Sequence, residues 1–269
     1  MRDKPKVEGF GRRLRERGFQ LGATVSSTDV AVAEAMAASD LDFIMLDTEH
    51  SPLGPEAVQT LVMAAQGAGT PVLVRVGGLE PIRLMQPLDV GAAGVIVPRV
   101  RNADEVRWVV EQTRYPPVGL RGFGPRRAGG YGRTTAEYVA GSPDNVGVVV
   151  QIETSEAVAN LAEIASVPGL DGLLVGPNDL SAALGVPGQT DSAPVRDVMR
   201  RVVEVCRDRG LAAGTATMPA TGEVQRVQRF GWTFVVAGVD LFYMVDALDS
   251  FLADVADAFA ESDPDPESR

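Results

Sequence analysis

The chain carries a single histidine, His50, placed in Leu46-Asp47-Thr48-Glu49-His50 at the end of an apolar run. Histidine is the side chain whose unperturbed pKa, about 6.5, lies nearest neutrality. Any proton chemistry that uses an imidazole therefore falls to this residue. Asp47 and His50 could form a carboxylate–imidazole dyad, the acid orienting the ring and the ring accepting a proton directly or through water. The plainer reading is an aspartate that ends a strand and a solvated histidine at a helix entry. Two further carboxylates, Glu153 in Gln151-Ile152-Glu153 and Asp179 in Gly176-Pro177-Asn178-Asp179, suit a divalent cation. Oxygen ligands with positions left open for water and substrate favour Mg²⁺ or Mn²⁺. Zinc is disfavoured, because no cysteine–histidine cluster exists. The rival reading has one acid capping a helix, as the sequence from Asp179 invites, and the other paired with an arginine. Spacing alone leaves the two level. Arg75 ends Val72-Leu73-Val74-Arg75. A charge closing a buried strand needs a partner or a ligand. Its fork could hold a carboxylate or an oxyanion, or bridge to a neighbouring acid such as Glu49.

Several chemistries are excluded. Lys4 and Lys6 are the only lysines, both in a polar N-terminal stretch. Schiff-base catalysis needs a lysine in a desolvated pocket, so carbonyl activation must come from elsewhere. The formal net charge of −11 over 269 residues argues against a nucleic-acid footprint. Cys206 is the sole cysteine and sits in a helical pattern, where a small buried hydrophobe is the natural reading. No signal-peptide core and no membrane-length apolar run is present, which points to a cytoplasmic protein. The glycine-rich stretch Gly122-Phe123-Gly124-Pro125-Arg126-Arg127-Ala128-Gly129-Gly130 matches neither nucleotide-binding glycine pattern. Arg126 and Arg127 are either hands for an anionic substrate tail or part of a solvated loop.

Eight short apolar runs must position these residues: 21–25, 43–46, 72–76, 94–97, 146–152, 172–175, 211–215 and 234–237. They are continuous rather than alternating, as strands buried on both faces are. Most are separated by helical patterns, which predicts a parallel (β/α)₈ TIM barrel. Polar and charged residues arrive at the C-terminal ends of these runs: Asp47, Glu49, His50, Arg75, Arg99, Gln151, Glu153 and Asp179. Barrel enzymes build their sites at that end. Glu153 and Asp179 would then stand on adjacent strands. Residues 116–133, rich in Gly, Pro and Arg, read as a strand-to-helix connection of unusual length. Leu241, Met244, Leu248, Phe251, Val255 and Phe259 repeat at helical spacing, as a core-facing stripe or a subunit contact. One domain over 1–260 is expected, followed by a disordered acidic tail at 261–269.

Leu46-Asp47-Thr48-Glu49-His50-Ser51-Pro52, Val74-Arg75, Gly94-Val95-Ile96-Val97-Pro98, the segment from Tyr115 to Gly122, Gln151-Ile152-Glu153-Thr154 and Gly176-Pro177-Asn178-Asp179-Leu180-Ser181 together resemble the HpcH/HpaI aldolase family of metal-dependent class II pyruvate aldolases. The resemblance runs from about residue 10 to 260. It implies that Glu153 and Asp179 hold Mg²⁺ or Mn²⁺, with Co²⁺ an alternative, and that the metal chelates pyruvate. It further implies that His50, oriented by Asp47, acts as base through a water and that Arg75 stabilises the enolate oxygen. Gln151 assists at the metal, Pro177 and Asn178 lie where the pyruvate carboxylate is held, and Arg121 counts among the substrate-binding positions. The implied reaction cleaves a 4-hydroxy-2-oxo acid to pyruvate and an aldehyde, as in aromatic or sugar acid breakdown. The same site could serve an oxaloacetate-type decarboxylase, and a retired barrel could serve as a binding module. The family also implies a last helix exchanged between subunits and a homo-hexamer built as a trimer of dimers.

Overall fold

The computed structural model describes residues 9–16 and 18–262. Lys4, Lys6 and residues 263–269 of the acidic tail lie outside the described residues. Helix α1 (Phe10–Glu16) precedes β1 (Gln20–Val25), α2 (Val30–Ala38), β2 (Phe43–Asp47), α3 (Pro55–Gly67), β3 (Val72–Arg75), α4 (Pro81–Asp89), β4 (Gly94–Val97) and α5 (Ala103–Thr113). A long loop and α6 (Thr135–Asn145) lead to β5 (Gly147–Gln151), α7 (Ser155–Ala159), α8 (Leu161–Ile164), β6 (Gly172–Val175), α9 (Pro177–Ala183) and α10 (Ala193–Arg209). The chain then runs through β7 (Ala212–Thr217), α11 (Thr221–Phe230), β8 (Phe234–Val239) and α12 (Asp240–Ser262). The eight strands close in sequence order, β8 pairing back onto β1, with every pairing parallel. The predicted (β/α)₈ barrel is the observed fold, and each apolar run contributes one strand.

Two apolar cores explain why the strand runs are unbroken. One lies between sheet and helices and takes Val25, Ile44, Leu46, Val72, Val74 and their counterparts around the ring. The other fills the barrel interior with Phe43, Met45, Leu73, Ile96, Val149, Leu174 and Phe234. Phe43 and Phe234 meet edge-on with centroids 6.2 Å apart, and Phe10 of α1 stands 6.4 Å from Phe43. Helix α1 thus plugs the N-terminal end of the barrel. Gly22 of β1 and Gly214 of β7 are required here, because a Cβ on either would collide with the ring of Phe43 or Phe234. Truncating Phe43 to alanine would cost about 3–5 kcal/mol in transfer and cavity terms.

Two expectations about position are corrected. The loop at 116–133 follows helix α5, not a strand, so it leaves from the N-terminal end of the barrel. The apolar repeat on α12 does not face this chain's core: Leu241, Met244, Leu248, Phe251 and Phe259 are all exposed, Phe259 at 72%. Helix α12 touches the barrel chiefly near its start, against β8 and β1. Among the described residues no helix is long and apolar enough to cross a membrane.

Candidate active site

Strand register sets the first pair. Asp47 and Arg75 are the last residues of β2 and β3 and stand opposite each other in the ladder. Their side chains meet in a two-point contact, Nε to Oδ1 at 3.0 Å and Nη2 to Oδ2 at 2.6 Å. Asp47 Oδ1 also accepts from the main-chain amides of Glu49 and His50, at 3.0 and 3.2 Å. Burial by itself would raise the Asp47 carboxyl. The hydrogen bond and charge of Arg75, helped by those amides, outweigh it and hold the carboxyl below its ordinary value. Burial likewise works against the Arg75 cation, and Asp47 and Glu49 more than offset it. The expected dyad therefore takes a different form. Asp47 grips the guanidinium and shapes the backbone that carries His50, while the imidazole itself lies toward Glu49. His50 Nε2 is 3.7 Å from Glu49 Oε2 and the ring is 58% exposed. Glu49 also stands 3.6 Å from Arg75 Nε. Burial raises the Glu49 carboxyl, Asp47 and Asp179 push the same way, and Arg75 and His50 oppose.

The second cluster is built around Gly176, the residue between β6 and α9. A Cβ there would lie 3.4 Å from Asp179 Oδ2, 3.5 Å from Glu153 Oε2 and 3.7 Å from Gln151 Nε2. Three polar side chains, two from the end of β5 and one from the start of α9, thus converge on one glycine. Glu153 Oε1 accepts from the main-chain amide of Arg99 at 2.7 Å, and Oε2 accepts from Gln151 Nε2. Gln151 Oε1 is buried and has no partner among the described residues. Burial raises the Glu153 carboxyl, and the nearby charges of Glu49 and Asp179 add to the rise. Asp179 lies in the first turn of α9, and no side chain caps that helix, so the capping alternative is not realised. Glu153 binds an amide, not a guanidinium, so the ion-pair alternative is not realised either.

A divalent cation fits these residues. The glycine leaves room, two carboxylates face it, and the excess negative charge calls for a cation. Among the described residues no three Asp, Glu, His or Cys side chains form a closed ligand shell, so water and substrate would complete one. Asn178 is exposed and Pro177 half-buried at the start of α9, beside Asp179.

Sequence reasoning missed one contributor and misplaced another. Arg99 acts through its backbone: its φ of 59° places a non-glycine residue in the left-handed region, which aims its amide at Glu153. Arg99 follows Pro98 at the end of β4, but no residue-type signal announces that conformation. Arg121 does not reach the mouth. Its side chain is fully buried, bound to Asp89 at 2.6 Å and to the Tyr138 hydroxyl at 3.2 Å, with the Tyr115 ring 4.5 Å away. It follows the α5 helix, so it braces the opposite end of the barrel. Arg127 is likewise tied, to the Gln66 side chain and the Val90 carbonyl, and Arg126 lines an outer groove between α3 and α4. Cys206 is buried and its thiol is pushed up to about 12 by that burial, which fits a packing role.

Fold and mouth together define the class: a parallel barrel with its charged groups gathered at the C-terminal strand ends, where barrel enzymes carry their sites. Within that class the chain belongs to the HpcH/HpaI aldolase/citrate lyase family, whose sequence profile matches residues 20–247. It is a carbon–carbon lyase. A 2-keto-3-deoxy-L-rhamnonate aldolase from Escherichia coli strain 536 is 38% identical over 250 residues, 91% of each chain. An HpcH/HpaI aldolase/citrate lyase family protein from Burkholderia cenocepacia superposes with a TM-score of 0.87 at 29% identity, covering 93% of this chain and 99% of the other. An HpcH/HpaI aldolase from Desulfitobacterium hafniense gives 0.85 at 27% identity, covering 96% and 98%.

Proposed function

We propose that this protein is a metal-dependent aldolase that cleaves a 4-hydroxy-2-oxo acid to pyruvate and an aldehyde, and runs the reverse addition. The curated relative acts on a 2-keto-3-deoxy sugar acid by its name, and a substrate of that class is the reading adopted here. The observation that carries the proposal is the convergence of Glu153, Asp179 and Gln151 on Gly176. Those residues would hold Mg²⁺ or Mn²⁺, which supplies Lewis-acid polarisation of a 2-oxo group when bound. Arg75, fixed by Asp47, presents its remaining donor edge to the oxygen that becomes negative on enolisation. The amides of Asn178 and Asp179, at the start of α9 and without partners inside the helix, receive the substrate carboxylate. His50 takes the proton from the C4 hydroxyl, directly or through water, as the carbon–carbon bond breaks, and returns it in the reverse direction. No lysine is required.

The exposed apolar face of α12 is assigned to a second copy of the chain, in keeping with a swapped helix and a hexamer made as a trimer of dimers. A cytoplasmic location agrees with the single buried cysteine.

The test is exchange of the pyruvate methyl protons with deuterium, which needs enolisation but no aldehyde. Exchange should require added Mg²⁺ or Mn²⁺, and His50→Ala should lose most aldol turnover while still binding the metal. Exchange that proceeds equally in chelator overturns the metal site. Release of pyruvate from oxaloacetate alone, with none from hydroxy-oxo acids, would replace the aldolase by a decarboxylase.

A further inference from the structure

Four arginines gather at the end of the barrel opposite the mouth. Arg15 of α1, Arg107 of α5, Arg114 just after α5 and Arg209 at the end of α10 line one cavity of about 720 Å³. Part of this charge has a simple origin. Helices α5, α8 and α10 all end here, and cations are favoured at helix C-termini. Asp171, fully buried at the start of β6, also accepts from Arg15 and from Arg114.

Those partners do not satisfy Arg114. Its side chain is 3% exposed. Nη2 makes two long contacts, 3.3 Å to the Gly169 carbonyl and 3.5 Å to Asp171, and among the described residues Nη1 has no acceptor. A buried guanidinium nitrogen without an acceptor is costly, and native structures rarely keep one. Burial, reinforced by the charges of Arg121 and Arg15, brings the Arg114 pKa down to about 10. Glu111 is the one carboxylate among the described residues lining the cavity, set against four guanidiniums, of which Arg107 also pairs with Asp104 on the outer face of α5. Between the arginines the wall is apolar, through Val110, Val118 and Leu211. The volume falls within the range of about 300–1,000 Å³ common for small-molecule sites.

We propose that this cavity binds a phosphorylated small organic molecule, with the phosphate among Arg107, Arg114 and Arg209 and the carbon skeleton on the apolar wall. Phosphate suits guanidiniums arriving from separate elements, because its oxygens can accept from several forks at once. The site lies at the other end of the barrel from the catalytic mouth and does not depend on the reaction assigned there.

Calorimetric titration of the metal-loaded, full-length protein with inorganic phosphate, and then with glucose 6-phosphate, tests this. Saturable binding of phosphate is expected, with tighter binding of the ester. Arg107→Gln/Arg209→Gln alters two exposed side chains and should fold normally. It should weaken both probes at least about tenfold, the loss of one or two charge-assisted hydrogen bonds, and leave pyruvate proton exchange unchanged. Arg114→Gln should abolish binding, and its melting temperature shows whether it folds. No saturable phosphate binding at millimolar concentration overturns the proposal, as does equal affinity in the double variant. An ester that binds no tighter than phosphate overturns the organic part of the ligand.

Discussion

Asp47→Asn separates two roles for one carboxylate: serving Arg75 or serving the His50 ring. The Asp47 and Arg75 side chains are only 7% and 16% exposed and share two hydrogen bonds. Removing one partner of a buried ion pair costs about 3–5 kcal/mol. Here Glu49 stays 3.6 Å from Arg75 Nε, and asparagine keeps an oxygen for the Glu49 and His50 amides. The stability loss should therefore be nearer 2 kcal/mol, read by urea unfolding at neutral pH. The folded Asp47 carboxyl lies below its ordinary value, so its contribution is complete above about pH 4 and fades as pH falls through the folded pKa. The gap between wild type and variant should accordingly be flat across neutral pH and narrow in acid. In turnover, a misdirected Arg75 amounts to a lost oxyanion donor, about 10²–10³-fold in kcat. Arg75→Lys should cost a similar factor, and the double variant little more than either single, because the two residues act as one unit. Additive losses would refute the pairing. A displaced His50 limb in the pH–rate profile of Asp47→Asn would return the carboxylate to the imidazole.

Glu153→Gln should weaken Mn²⁺ binding at least about tenfold by calorimetry, and it should also raise the metal-free melting temperature at pH 7. The second effect follows because the folded Glu153 carboxyl is raised, so its ionisation destabilises the metal-free protein as pH climbs above the unfolded value. Arg99→Pro removes the amide that holds Glu153 and should lose metal-dependent exchange, whereas Arg99→Gly keeps the amide, accepts φ of 59° and should stay active. Leu248→Asp/Phe251→Asp on α12 should abolish the proposed self-association, giving the mass of a single chain in light scattering; a mass unchanged from the wild type would refute an interface on this face. Cys206 should resist thiol reagents in the folded protein and react on unfolding.

The sequence made the barrel legible because a strand covered on both sides has no polar alternation to obscure it. The mouth was legible for a related reason: a buried strand tolerates charge only where it emerges. What stayed hidden was pairing. Asp47 could have reached His50 three residues on or Arg75 on the next strand, and only the register of β2 on β3 decides. The loop at 116–133 misled because glycine and arginine look alike after a strand or after a helix, yet those two places are opposite ends of the molecule. Arg121 was counted among the substrate-binding positions on the family resemblance alone, and its burial against Asp89 and Tyr138 sets it at the other end. The stripe on α12 gave no direction, since the same spacing serves a chain's own core or a neighbour's. Arg99 was visible at the strand end as a charge, but the part it plays was not, because a backbone amide has no letter.

One imidazole in 269 residues makes the mouth spectroscopically transparent. Any histidine ring resonance in the proton NMR spectrum belongs to His50, so no assignment is needed to decide which histidine it is. Its chemical shift against pH reports the protonation of the proposed base in the working enzyme. Line broadening by bound Mn²⁺ reports how far that base sits from the ion, so a single unlabelled sample tests base and metal together.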